Sequence, residues 1–528
     1  MRTDLTVGTA LREAAAAAPE RVALVEGVPD TTKRRRWTYA ELLRDAERCA
    51  KSLLCRFEPG ERLAVWAHNL PEWVIVEYGA ALAGLTLVTV NPSFQPAEVA
   101  YVLGQSRSSG VLLVPEVRGN PLQAHLDSVL PDLPLIREVV RLDRLADLLA
   151  EAEAGGPASG VELPEVGPGD PVQIQYTSGT TGFPKGAVLR HASVVNNAAL
   201  WADRVGIPEG VAWLSPMPLF HTGGCVLGVL GAVARRATLV LMPGFDPALM
   251  LELVETERTW FTAGVPTMLI AAMDHPDAAT RDLSSLKGVV SGGAQVPEAL
   301  VRRIEGALGV DFTIIYGQTE CSPTLTNTFP TDSPEDKGLT IGPAIPHTEL
   351  KIVDPVTLET TPVGVSGELW ARGYMTMIEY FDKPEATAET LLPDGWLRTG
   401  DLATMDERGY CRVVGRLKDM IIRGGENLFP AEIEEVLYRH PAIAEVAVVG
   451  LPDERWGEVV GAFVRVADGA EVPTQHELRA YLRERLSAQK TPTVWVRAEA
   501  FPLTGSGKIQ KFAIREAWEK GELRTPLP

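Results

Sequence analysis

The sequence predicts an α/β fold in two parts: a large N-terminal domain, residues 1–416, of parallel-sheet subdomains plus a small β-barrel-like element, then a smaller α+β C-terminal domain, residues 417–528. Three observations predict it. Short apolar runs alternate with helical patterns, which is how a parallel sheet with crossover helices reads in sequence. Several of those runs end in polar, glycine-containing loops, where open α/β sheets bind ligands. Past Pro362 the texture changes to short strand-like runs joined by turns, and after Gly415 it becomes a compact α+β stretch with its own apolar faces.

In chain order, the alanine run Ala14 to Ala18 is flanked by Arg12, Glu13, Glu20 and Arg21, so it reads as an amphipathic helix and not as a signal peptide. The basic run Lys33-Arg34-Arg35-Arg36 precedes a strand start at Trp37 and reads as a solvated loop. "ERLAVWAH" is a strand, "LPEWVIVEYGAALAGL" a helix and "TLVTVNP" the next strand, and the Gly/Pro-rich stretch Glu153 to Asp170 is a surface loop. "ATLVLMPGFDP", "LKGVVSGGAQVP" and "DFTIIYGQTE" are apolar strands with polar ends. "GELWARG", "GYCRVVGR" and "DMIIRGG" form the barrel-like element and the start of the small domain, with the boundary near Gly415 to Lys418. "FPAEIEEVLYRHP" is a helix with Pro430 in its first turn, and "TQHELRAYLRERL" opens with a capping box, Thr474 with Glu477.

Composition narrows the function class. A net charge of -19 and a pI near 5.0 disfavour nucleic-acid binding. The 5 cysteines form no C-x-x-C pair, which argues against a disulfide framework or zinc knuckle and for a reducing compartment. The most apolar stretch, Cys225 to Ala234, falls well short of the roughly 20 residues of a bilayer span. The expectation is a soluble, cytoplasmic protein of 528 residues.

The segment "YTSGTTGFPKGA", Tyr176 to Ala187, is dominated by Gly, Ser and Thr and carries Lys185. Such a loop turns sharply, presents N–H groups and hydroxyls to an anion, and adds a full positive charge. It is no Walker A loop, because counting from Gly179 the second glycine's place is taken by Pro184 and Lys185 is followed by Gly186. Taken alone it could be a plain surface loop.

It does not stand alone: "YGQTECSP" at 316–323, "WLRTGDLA" at 396–403, "GRLKDMIIRGGENLFPAEIE" at 415–434 and "PLTGSGKIQK" at 502–511 follow in order. With these motifs the chain resembles, over nearly its full length, the adenylate-forming superfamily of acyl-CoA synthetases, nonribosomal adenylation domains and luciferases. The resemblance implies ATP, Mg²⁺ and CoA, or phosphopantetheine on a carrier protein, as cofactors. Thr177, Ser178, Gly179, Thr180, Thr181 and Lys185 are then expected to cradle the β- and γ-phosphates that leave as pyrophosphate. Glu320, after Thr319, is the expected Mg²⁺ ligand. Tyr316 and Gly317, with the loop of Gly293, Ala294 and Gln295, are expected at the adenine. Asp401 is expected to accept the ribose hydroxyls, with Arg416 at ribose or phosphate. Lys508 matches the catalytic lysine of a mobile C-terminal domain, Lys418 its hinge, and Gly424-Gly425 the pantetheine passage. The chemistry suits these types: a carboxylate attacking a polyphosphate is anion meeting anion, so the site must supply fixed donors and positive charge.

Within the superfamily the chain is most like free-standing acyl-CoA and aryl-CoA ligases. His221 stands where a histidine or aromatic often lies near the acyl carboxylate; Gly223 and Gly224 are expected to widen the pocket and Ile315 to shorten it. This favours a compact aromatic or short to medium aliphatic acid. No aspartate in "FHTGGCVLGVLG" could meet a substrate amine, which disfavours amino acids. Glu379 in "MIEYFDKPEAT" replaces the usual glycine and raises a question about local turn geometry. Three functions remain open: an acid:CoA ligase, an adenylating enzyme that serves a carrier protein, amine or other nucleophile, and a non-catalytic nucleotide-binding regulator. Oligomeric state is not legible.

Overall fold

The computed structural model describes every residue except 178–183, 295, 425, 468 and 504–508, and the side chain of Asn427. Its contacts divide the chain into one unit of Met1–Glu349 with Ala371–Leu397 and another of Leu350–Trp370 with Arg398–Pro528.

The first unit holds two large sheets. A 6-stranded sheet runs in the order Glu138–Arg141, Gly110–Leu113, Arg62–Trp66, Thr86–Val90, Pro171–Thr177, Lys185–Arg190. All its pairings are parallel except the last, which forms a hairpin. An 8-stranded sheet runs Thr324–Asn327, Asp311–Gly317, Gly288–Gly292, Phe261–Ala263, Ala212–Ser215, Thr238–Leu241, Val22–Glu26, Arg36–Thr38, parallel inside with antiparallel edges. Parallel strands are covered on both faces, and Thr86–Val90 is accordingly buried at every position. The helix Pro71–Leu82 opens with proline at its first turn and is buried on nearly all sides. Its Glu77 is one such buried residue, and burial pushes that carboxyl well above the usual carboxylate range.

The basic run departs from the solvated loop expected of it. Arg34 is buried, and its guanidinium pairs with Glu252 at 2.7 Å and Glu257 at 2.9 Å while donating to the Val28 carbonyl. Arg35 bonds Glu26 and Glu72, and Arg36 bonds Glu257. Acids 9 to 223 positions away supply the counter-charge, a pairing invisible to local patterning.

In the second unit a 4-stranded sheet has the order Thr348–Val353, Gly367–Gly373, Leu397–Met405, Cys411–Arg416, the outer residues of three of these strands belonging to the first unit. A 5-stranded sheet is built on the long hairpin of Ile443–Asp453 and Gly457–Val466. Both faces of that hairpin are buried: Val446 and Val448 join one apolar cluster, Ala447 and Val449 another. The helix Gln475–Arg483 carries the Thr474/Glu477 capping box read from the sequence. No helix among the described residues is long and apolar enough to cross a membrane.

Candidate active site

In the first unit, Thr177 ends one strand of the hairpin and Lys185 begins the other, and the two are paired directly across it. The Thr177 hydroxyl donates to the Lys185 carbonyl at 3.4 Å. On the strand side Tyr176 bonds Gln105 through its hydroxyl at 2.5 Å, and on the return side Tyr101 donates to the Pro184 carbonyl at 3.0 Å. Ser178, Gly179, Thr180 and Thr181 lie outside the described residues.

Glu320 sits in the short turn Thr319–Cys321 and is only 8% exposed. Its Oε1 accepts a 2.5 Å hydrogen bond from the Tyr380 hydroxyl, and its carbonyl accepts from Met377 N at 2.8 Å. Burial, and next the Glu320 charge, push the Tyr380 phenol well above its ordinary value, so it stays a donor. Lys185 Nζ lies over the same Tyr380 ring, 5.1 Å from its centre. The sequence reading missed Tyr380, although it lies beside the odd residue Glu379.

The segment Met375–Phe381 forms a strap along the hairpin. Ile378 N donates to Val188 O at 2.8 Å, Val188 N to Glu379 O at 2.9 Å, and Phe381 N to Gly186 O at 2.8 Å. Glu379 is not among the residues of positive φ, so a side chain there costs the backbone nothing.

Tyr316 and Gly317 end the strand Asp311–Gly317, and Gly293 and Ala294 follow the adjacent parallel strand Gly288–Gly292, in which Gly292 faces Ile315. The structure therefore brings the expected adenine residues to neighbouring strand ends; Gln295 lies outside the described residues. Gly317 is obligatory because a side chain there would collide with the Pro323 carbonyl.

His221 lies in the loop after the strand Ala212–Ser215, and its Nδ1 accepts from Gly223 N at 3.0 Å. The neutral ring therefore carries its proton on Nε2. Buried Asn69 shapes this loop: its Nδ2 donates to Met217 O at 2.9 Å and Met242 O at 3.0 Å, and its Oδ1 accepts from Leu219 N at 2.8 Å. Gly224 packs against the Pro218 carbonyl, so its missing side chain serves a close backbone approach, whereas Gly223 faces His221 and Met217. The π-helix Gly223–Leu230 follows, a geometry frequent at functional sites. Beneath its continuation, Phe261 packs edge to face on Trp201 at 6.0 Å and Trp213 at 4.9 Å, and the two indoles are tilted against each other at 5.6 Å.

In the second unit, Asp401 is 6% exposed and faces Arg416 across two antiparallel strands, with Nε to Oδ1 at 3.0 Å. The turn that carries it is set by Glu368, which is nearly fully buried and accepts from Gly400 N, Arg398 Nε and Trp370 Nε1. Glu368 also escaped the sequence reading, hidden in a strand motif. Lys418 is exposed in the turn Leu417–Asp419.

Gly424 has φ 59°, and its N–H donates to the Trp456 carbonyl at 2.8 Å. Trp456 is 41% exposed, with the Arg455 and Arg423 guanidinium carbons 5.0 and 5.7 Å from its ring centre. Gly425 and Lys508 lie outside the described residues.

Two family models match: AMP-binding enzyme over residues 11–381, and AMP-binding enzyme C-terminal domain over residues 432–508. The chain is 39% identical, over 97% of its length and 96% of the relative's, to YngI of Bacillus subtilis (strain 168), a protein named for acyl-CoA synthetase activity. It is 37% identical, over 98% of its length and 88% of the relative's, to the mitochondrial medium-chain acyl-CoA ligase ACSF2 of Rattus norvegicus. Among solved structures it is similar to ATP-bound MatB from Rhodopseudomonas palustris, with TM-score 0.88, 25% identity, and 98% and 100% of the two chains covered. It is also similar to the anthranilate CoA ligase AuaEII in complex with anthranoyl-AMP, with TM-score 0.87, 26% identity and 98% of each chain covered. With a family model spanning most of its length and full-length relatives at this identity, the chain belongs to the AMP-binding enzyme family.

Proposed function

We propose that the protein is an ATP-dependent carboxylic acid:CoA ligase working through an acyl-adenylate. The observation that carries this reading is the buried carboxylate of Glu320 beside the Lys185 hairpin, in a chain whose full-length relatives are named as acyl-CoA synthetases and ligases. In the first step a substrate carboxylate oxygen attacks the α-phosphorus of ATP, the bond to the bridging oxygen breaks, and pyrophosphate leaves. In the second, the CoA sulfur, its proton lost, attacks the acyl carbon and AMP departs with the phosphate oxygen.

The residues divide the work. Lys185 and the hydroxyls of Thr177, Ser178, Thr180 and Thr181, with the N–H of Gly179, balance the charge of the leaving phosphates. Glu320 fits Mg²⁺, a hard ion usually held by one or two carboxylates plus substrate phosphates. Bound there, Mg²⁺ would offset the negative charge of the phosphates. Tyr316, with Gly317 and the loop of Gly293, Ala294 and Gln295, holds the adenine, Asp401 the ribose, and Arg416 the ribose or phosphate. The Nε2–H of His221 points the chemistry toward an acid's oxygen as a neutral donor. Lys508 supplies positive charge at the α-phosphate and carboxylate during adenylation, and Lys418 is the hinge of a 1–416 and 417–528 division that lets it withdraw.

Two features support CoA and a compact acid. An exposed indole flanked by two guanidinium groups, Trp456 with Arg423 and Arg455, suits a purine that carries phosphates. Ile315, at the end of its strand opposite Gly292, favours a short to medium or aromatic acid over a long chain.

The deciding experiment is AMP formation with ATP, Mg²⁺ and a panel of aryl, short, medium and long acids, with and without CoA. AMP and a thioester that both require CoA are expected. Pyrophosphate without a thioester would assign the adenylate to a carrier protein, amine or other nucleophile, and no turnover of any acid would favour a nucleotide-binding regulator. Lys508→Ala retaining full adenylation would overturn the assigned mechanism, and Ile315→Gly without a shift toward longer acids would sink the pocket assignment.

A further inference from the structure

The strap residue Tyr380 stands between two groups of opposite charge. Its ring face is under the Lys185 ammonium at 5.1 Å, and its hydroxyl is on the Glu320 carboxylate at 2.5 Å. Among the described residues no ion pair joins Lys185 to Glu320; each side chain meets Tyr380 instead. A lysine stem is long and flexible, and an ammonium is attracted to a nearby buried carboxylate, so what occupies the gap decides whether the two pair.

The strap holds Tyr380 in that gap through backbone and side-chain bonds on both sides. Tyr380 N donates to Thr387 Oγ1 at 2.9 Å, and the adjoining Phe381 carbonyl accepts from Gln105 Nε2 at 2.6 Å. Tyr380 itself pairs with Ala187 as an isolated bridge, so the ring is fixed to the same hairpin that carries Lys185.

We propose that Tyr380 is a positioning residue that keeps the phosphate lysine and the metal acid apart: its ring is a spacer that blocks a Lys185–Glu320 ion pair, and its hydroxyl aims the Glu320 carboxylate. This rests on the reading of Glu320 as the metal-binding acid. A phenol is suited to both tasks, since its face attracts a cation without taking its charge and its O–H donates to a carboxylate without neutralising it. The separation leaves Lys185 to the phosphates and Glu320 to the cation, two tasks that a direct ion pair would cancel.

The test is Mn²⁺ titrated into the protein–ATP complex, read from the electron paramagnetic resonance signal of the free ion, with ATP affinity in chelator measured alongside. Tyr380→Phe keeps the ring and removes the donor: Mn²⁺ affinity is expected to fall about tenfold, the scale of one hydrogen bond to a charged group, with metal-free ATP affinity unchanged. Tyr380→Leu removes the spacer as well, so metal-free ATP affinity is expected to fall too. Adding Lys185→Met to Tyr380→Leu is then expected to recover Mn²⁺ affinity, because the competing ammonium is gone. Thermal melts of each variant report whether the fold is retained, and Tyr380→Phe, which preserves shape, keeps the question open to a decision if Tyr380→Leu does not fold. Glu320→Gln separates the layers. If it weakens Mn²⁺ binding while Tyr380→Phe does not, the positioning role is wrong and the metal acid stands; if neither weakens it, the reading of Glu320 fails first.

Discussion

Glu320 and Asp401 are both buried carboxylates, 8% and 6% exposed, yet they are held in opposite ways. Glu320 in the first unit is bonded by a neutral phenol, while Asp401 in the second is matched by the guanidinium of Arg416. A carboxylate bonded to a neutral donor keeps its whole charge for a cation, whereas one paired with arginine is already compensated and is better suited to accept neutral hydroxyls. The two environments therefore suit the two proposed roles, metal acid for Glu320 and sugar acceptor for Asp401, although the residue types alone are nearly interchangeable.

That contrast can be broken by substitution. Glu320→Gln keeps the shape and removes the charge, and adenylation measured by pyrophosphate release is expected to fall roughly 100-fold, the scale of losing one preorganised electrostatic partner. A loss no larger than that of the Asp401 variant would erase the distinction. Asp401→Asn is expected to raise the KM for ATP about tenfold, and Asp401→Asn with Arg416→Gln together to do little more, since the pair acts as one unit. Additive losses would mean that Arg416 acts on the nucleotide independently of Asp401. The smallest effect is expected at Trp456→Ala: the KM for CoA rises about fivefold, a loss near 1 kcal/mol, with pyrophosphate release unaltered. A change in the adenylation step instead would move Trp456 out of the acceptor reading.

The sequence carried much of this because adenylation concentrates its residues in short contiguous motifs. The strands around Thr177, Lys185, Tyr316 and Asp401 fall where apolar runs end in polar loops, and the structure places them so. What local patterning could not reveal were partners distant in the chain. Tyr380 meets a carboxylate 60 positions away, Glu368 fixes a turn 32 positions on, and Arg34 is neutralised by acids more than 200 positions away. A four-residue basic run looks solvated until its counter-charges are known. Gly224, expected to widen the pocket, instead lies where a side chain would collide with the Pro218 carbonyl, a close backbone approach that composition does not reveal.

Asn69 has a consequence for anyone who wishes to redirect the enzyme to a new acid. It follows a strand of the 6-stranded sheet, yet all three of its bonds go to loops that leave strands of the 8-stranded sheet, including the one that leads into His221. The loop proposed to face the acid is thus hung from a neighbouring sheet, and its set point is inherited from a residue that a library drawn around the acyl group would leave untouched. Combinatorial libraries that vary Asn69 together with the loop from Met217 to Gly223 would sample backbone settings that loop substitutions alone leave unexplored.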